Sequence, residues 1–231
     1  MRDIVNINRK WAFTKQVNEI PQELPLNWDF VNLPHSWNAI DGQDGENDYF
    51  RGTCYYAKTI DKTDLPESDK YYLEIKGANS SADVYLNGEK LAHHDGGYST
   101  WRVDITDNLQ LKNLIVISVD NSANDFVYPQ MADFTFYGGL YRDVNIICVN
   151  KSHFELMHHG GPGLKITPCV EGANAKVEIE TWVKDFGDGQ KLKYIIKDSS
   201  GSVVCETVTD DTKVNLEINN VHLWHGKKDP Y

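Results

Sequence analysis

The chain has 231 residues, 40% of them hydrophobic and 25% charged, with 23 basic and 34 acidic side chains for a net charge of −11. That length accommodates one large or two modest domains with a true core. The basic residues are scattered and no apolar run approaches the roughly 20 residues of a membrane span, which argues against nucleic acid and membrane as partners.

The N-terminus, Met1-Arg-Asp-Ile-Val-Asn-Ile7, has no apolar signal core, so a cytoplasmic location is expected unless a leader was trimmed. Residues 1–37 are aromatic and apolar without helical period. Pro21, Pro25 and Pro34 rule out a long helix there. Trp11, Trp28 and Trp37 read as core or lid packing rather than sugar-stacking platforms. Residues 38–49 form an acidic loop holding Asp41, Asp44, Glu46 and Asp48. Its spacing does not fit an EF-hand, whose acids stand at alternate positions before a glycine.

Strands follow. Thr53–Ile60, Tyr71–Ile75, Ala82–Leu86, Glu89–His93, Trp101–Ile105 and Leu114–Val119 carry strand-like runs. Asn87-Gly88 between two of them predicts a two-residue type I′ hairpin. Leu114–Val119 is nearly all apolar, as for a strand buried on both faces. His93 and His94 are adjacent on a strand, so their rings point to opposite faces and do not converge on a metal. The same reading is given to His158 and His159. Residues 121–136 are irregular.

From Asp133 a loop leads through Gly138-Gly139 into a run that alternates from Leu140. Alternation places Leu140, Arg142, Val144 and Ile146 on one face, so Arg142 is expected to be buried against carboxylate or carbonyl partners. Beyond residue 150 five short alternating segments, between 164 and 218, are punctuated by Asp188-Gly189 and Ser200-Gly201. This is the pattern of a small immunoglobulin-like sandwich. The expectation is therefore all-β, with domains at 1–150 and 151–231. The cysteines, Cys54, Cys148, Cys169 and Cys205, fit no Cys-x-x-Cys pattern and lie in strand-like runs, so all four are expected to be buried, reduced thiols.

Several pieces resemble one family. Gly138-Gly-Leu-Tyr-Arg-Asp-Val144 is similar to the signature near the end of the first domain of glycoside hydrolase family 2, which includes β-galactosidases, β-glucuronidases and β-mannosidases. Leu33-Pro-His-Ser-Trp-Asn38, Tyr49–Tyr56, Ala82–Gly88, Gly96–Trp101 and Asp104–Thr106 resemble other pieces of that family in the same order. His222–Tyr231 resembles the segment leading into its catalytic barrel. The resemblance implies a jelly-roll, galactose-binding-domain-like sandwich, then an immunoglobulin-like sandwich, then an absent (β/α)₈ barrel.

It also implies function. The chain is expected to be the non-catalytic front portion of a retaining β-galactosidase-type enzyme of carbohydrate metabolism, inactive alone. Both catalytic glutamates, about 5–5.5 Å apart in a retaining enzyme, would lie in the barrel. Asp133, nine residues before Arg142, matches the family's aspartate that binds galactosyl hydroxyls, partly through sodium, so it is the expected substrate and metal ligand. Asn47 matches an asparagine that reaches the sugar in some members. A turn or capping role is the alternative for Asp133, and an ordinary loop role for Asn47. No cofactor is expected for this chain; sodium, with magnesium, is implied only for the full-length enzyme. The implied partners are a β-galactoside or related glycoside, the protein's own barrel, and further copies in a homo-oligomer. The rival expectations are a free-standing carbohydrate-binding or adhesive module, and a plain interaction sandwich.

Overall fold

A computed structural model describes residues 2–17, 19–39, 41, 49–127 and 135–229. The chain is all-β, as the sequence predicts. Among the described residues the only helical turn is a 3₁₀ turn, Lys62–Asp64, and no helix is long and apolar enough to cross a membrane. The chain divides into two compact units, Met1–Lys151 and Ser152–Tyr231.

The first unit contains β1 (Arg2–Asn6), β2 (Trp11–Thr14), β3 (Asp29–Val31), β4 (Thr53–Asp61), β5 (Lys70–Ile75), β6 (Ser81–Leu86), β7 (Glu89–Asp95), β8 (Trp101–Asp104), β9 (Lys112–Asp120) and β10 (Val144–Val149). They make a four-stranded sheet, β1-β10-β5-β8, and a six-stranded sheet, β3-β2-β4-β9-β6-β7. All pairings are antiparallel. The core between the sheets holds Trp11, Tyr56, Leu73, Ile75, Val84, Ile117, Val144 and Ile146.

Alternation along β9 explains its apolar run. Ile115, Ile117 and Val119 enter the core. Leu114 and Val116 face the other way, into a second cluster with Ala12 and Ala57 beneath Ile20, Leu24 and Trp28. Trp11 and Trp37 are buried and Trp28 packs on that cluster, so all three tryptophans pack as expected. The β6–β7 hairpin turns at Asn87 (φ 53°) and Gly88 (φ 86°), both left-handed, as a type I′ turn requires.

The expectation for Arg142 fails. The last strand begins at Val144, not Leu140, and Arg142 is exposed. Residues 140–143 spend their backbone groups elsewhere: Leu140 O accepts from His35 N at 2.8 Å and Asp143 O from Lys76 N at 3.0 Å. The alternation that pointed Arg142 inward therefore has no strand beneath it. Its guanidinium does find carbonyls, Tyr98 O at 2.8 Å and Lys76 O at 3.4 Å, and lies over the Tyr141 ring at 5.2 Å. The buried arginine is Arg102. Its Nε and Nη2 both lie 2.8 Å from Glu74 Oε2, with the two side chains 6% and 5% exposed. Asn145 Nδ2 donates to Glu74 Oε1 at 3.0 Å, and Asn6 Nδ2 to Asn145 Oδ1 at 3.0 Å. The other oxygen of the buried carboxylate is thereby satisfied.

The second unit contains β11 (His153–Phe154), β12 (Leu164–Glu171), β13 (Asn174–Thr181), β14 (Val183–Lys184), β15 (Leu192–Lys197), β16 (Val203–Thr209) and β17 (Lys213–Ile218). They form the sheets β12-β13-β17 and β15-β16 and the short pair β11-β14. Val177, Ile179, Leu192, Tyr194 and Leu216 make the core. The cysteine expectation holds in part: all four are free, and Cys54 and Cys148 are buried, but Cys169 is exposed and Cys205 half-buried. Cys169 lies on β12, an edge strand with almost every residue exposed.

Candidate functional site

The glycines of Gly138-Gly139 are needed where the chain meets Pro34–Asn38. A Cβ on Gly138 would overlap the Trp37 indole, and one on Gly139 (φ +134°) would overlap the His35 carbonyl oxygen. The two segments are joined by hydrogen bonds: Ser36 Oγ donates to Gly138 O at 2.8 Å, and Gly138 N to Asn38 Oδ1 at 2.7 Å. Behind them His35 Nδ1 and Tyr56 Oη are 2.8 Å apart, packed on Phe13. Burial holds the His35 imidazole below its ordinary value, so it is neutral at neutral pH.

Asn38 and Asn121, both fully buried, form the centre. Asn121 Nδ2 donates to Asn38 Oδ1 at 3.2 Å, and Asn121 Oδ1 accepts from Gly52 N at 2.9 Å. Asn38 Nδ2 donates to Phe50 O at 2.9 Å and to Asp41 Oδ2 at 3.1 Å. Asp41 Oδ2 also accepts from Phe50 N at 2.9 Å, closing the base of the acidic loop. Asp41 Oδ1 is buried with no partner among the described residues. These few side chains tie together three stretches distant in sequence: 38–41, 50–52 and 121, with Gly138. They flank two stretches outside the described residues, 42–48 and 128–134.

Both predicted ligands fall in those stretches. Asn47 and Asp133 themselves lie outside the described residues, as do Asp44, Glu46 and Asp48. Sequence reasoning did not single out Asn38 and Asn121. The available signal was an asparagine closing an aromatic motif just before an acidic loop, and another just after a long apolar strand.

Among the described residues no group of three His, Cys, Asp or Glu side chains is placed to hold a metal. His93 and His94 do point apart. His93 lies between Asp83 Oδ1 (2.6 Å) and Asp95 Oδ2 (3.1 Å), whereas His94 stacks on Trp101 at 4.9 Å. His158 and His159 sit in a turn rather than a strand; His158 stacks on Trp182 at 4.3 Å and meets the His159 ring edge-on at 4.7 Å.

Residues 45–139 match the family described as glycosyl hydrolase 2 galactose-binding domain-like. The matched residues lie within the first unit. A putative beta-glucuronidase of Formosa agariphila is 33% identical over 95% of this chain and 27% of its own length. A beta-galactosidase of Thermoanaerobacter pseudethanolicus is 25% identical over 97% of this chain and 31% of its own. In structure, an FMN-binding beta-glucuronidase from Facaelibacterium prausnitzii L2-6 superposes with a TM-score of 0.87 and 37% identity, over 97% of this chain and 35% of that one. The chain thus spans about a quarter to a third of the length of the curated relatives it matches. The galactose-binding-like first unit and the resemblance to the front of family 2 glycosidases agree with the motif reading.

Proposed function

We propose that this chain is the non-catalytic front region of a retaining β-glycosidase, which supports a catalytic barrel and lends it two loops. The observation that carries the reading is the Asn38–Asn121 tie, which holds the stems of the Asn47 and Asp133 loops against each other. Two ligands borne on separate loops can act on one sugar only if their stems keep a fixed spacing. The second unit serves as an immunoglobulin-like spacer, a reading supported by its two small facing sheets. Oligomer contacts are a further role of this region.

Asp133 binds a sugar hydroxyl directly or through sodium, and Asn47 assists. A carboxylate there suits a galactoside better than a uronic acid, whose own charge it would oppose. The glucuronide reading has its own support: the relatives with the higher identities carry that name.

The test is steady-state kinetics on nitrophenyl β-galactoside and β-glucuronide, with the 231-residue chain and with a polypeptide extended through a barrel. The short chain is expected to be inactive and the long one active. In the long one, Asp133→Ala should lower kcat/KM about ten- to 150-fold, the loss of a bond to a charged group. Turnover by the short chain, or wild-type kinetics from the mutant, would overturn the reading.

A further inference from the structure

The two facing sheets of the second unit meet along one side and are open along the other. On the closed side β16 lies against β17. On the inner face of β12-β13-β17, Leu216 of β17 and Val177 and Ile179 of β13 are each 6% exposed, packed with Leu192 and Tyr194 of β15. Ile166, Pro168 and Val170 of β12 share that face, because they pair with Ile179, Val177 and Ala175. Yet all three are exposed, Ile166 at 56% and Val170 at 47%. Cover therefore stops where β15 stops.

The two edges on the open side differ. β12 carries Pro168, which donates no ladder bond and suits an outermost strand. β15, Leu192-Lys-Tyr-Ile-Ile-Lys197, has neither proline nor glycine, and among the described residues it pairs only with β16. A two-stranded sheet is marginal by itself, and the unpaired N–H and C=O groups of a regular edge are a template for another strand. The course of the chain beyond β17 points to what fills the space. Asn220 N donates to Asn174 Oδ1 at 3.2 Å and Val221 N to Ala173 O at 2.8 Å. The backbone thus crosses the end of β13 to the β12–β13 turn, beside the Val170 end of the uncovered strand.

We propose that polypeptide following Tyr231 adds at least one extended strand to the free edge of β15 and lays apolar side chains on Ile166, Pro168 and Val170. The immunoglobulin-like body is then completed by residues beyond these 231, before any barrel begins. The inference rests on the front-region reading only in needing polypeptide after Tyr231, and it holds whichever reaction that polypeptide carries out.

The test compares hydrogen exchange, read by mass spectrometry, in the 231-residue chain and in the full-length polypeptide. Peptides spanning 192–197 should exchange at least about tenfold more slowly in the longer one, because an edge strand has become an inner one. In parallel, Ile166→Cys in a Cys169→Ser background should be alkylated at least about tenfold more slowly in the longer polypeptide, as access to the thiol is lost. Position 166 is exposed in the short chain, so the substitution is tolerated there, and the exchange measurement uses unaltered protein. Neither readout depends on catalysis, so an inactive full-length protein still decides the matter. Equal exchange at 192–197 in the two polypeptides would overturn the proposal. So would protection of position 166 without slowing at 192–197, the mark of a body resting on the face without pairing. Slowing that appears in the short chain as its concentration rises would assign the edge to a second copy and overturn it as well.

Discussion

Two arginines forty residues apart show how much depends on the backbone beneath a side chain. Arg142 follows an alternating pattern but lies on a segment whose carbonyls are used by other loops, so it ends exposed. Arg102 sits on a true strand opposite Glu74 and is almost wholly withdrawn from water. Removing one partner of a buried pair leaves the other charge uncompensated. Glu74→Ala should therefore cost about 3–5 kcal/mol of stability, while Arg142→Ala, at the surface, should cost under about 1 kcal/mol. Denaturant midpoints of the two variants check this, and equal shifts would contradict it. The thiols offer a second check. Burial pushes Cys54 up to about 12 and Cys148 to about 11, whereas Cys169 is exposed. Ellman's reagent at pH 8 should find Cys169 reacting first in the native chain, with Cys54 and Cys148 reacting only on unfolding.

At the scale of elements, the β6–β7 hairpin carries a coupled set of charges on the edge of its sheet. His93 is held above its ordinary value, first by its bond to Asp83 and then by Asp95. Burial acts to raise the Asp83 carboxyl, but bonds from Lys90 and His93 outweigh it; Asp95 is lowered chiefly by its bond from Ser81. The His93 contribution is fully present below about pH 6.5 and is lost as pH rises through its raised folded value. The aspartate contributions are present above about pH 3.9 and are lost as pH falls through the depressed values. The hairpin edge should thus be firmest in mildly acidic solution, between those limits. His94, stacked on Trp101 and lowered by burial, runs the other way, so His93 must be followed by its own NMR signals. It should titrate above the ordinary imidazole value in the native chain and fall back toward it in Asp83→Asn. An unshifted His93 in the native chain would remove the coupling. The hairpin itself was legible in the sequence, because Asn-Gly sets a turn with local chemistry alone. Both strands of that hairpin, and the doubly buried β9, follow from local pattern. What was not legible depends on distant contact. The start of β10 at Val144 is set by the demands of His35 and Lys76, and the Asn38–Asn121 tie joins residues whose meeting no local pattern announces.

Across the whole molecule the two units differ in how firmly each is built. The first has two sheets of four and six strands, with β9 and β10 buried on both faces. Amides of such strands exchange only when the unit opens as a whole. The second has about 80 residues, a size at which a single core is marginal. Its buried centre is confined to Val177, Ile179, Leu192, Tyr194 and Leu216 with their half-buried neighbours. On β12, Ile166, Pro168 and Val170 pair with Ile179, Val177 and Ala175 and so share their inward face, yet Ile166 is 56% and Val170 47% exposed. The inner surface of that sheet is therefore only part-covered, and its apolar burial falls short of what its strand pattern offers. Native-state hydrogen exchange on the 231-residue chain should show the difference. Amides of Val177, Ile179 and Leu216 should exchange at least about tenfold faster than those of Ile115, Ile117 and Ile146, a gap of ~1.4 kcal/mol or more in opening free energy. Lysine-to-glutamine changes at Lys165, on the exposed strand, should leave both groups unchanged, because a solvated charge there contributes little. Equal protection in the two units would mean that they open together as one cooperative body, and that the part-covered face of β12 costs the second unit nothing.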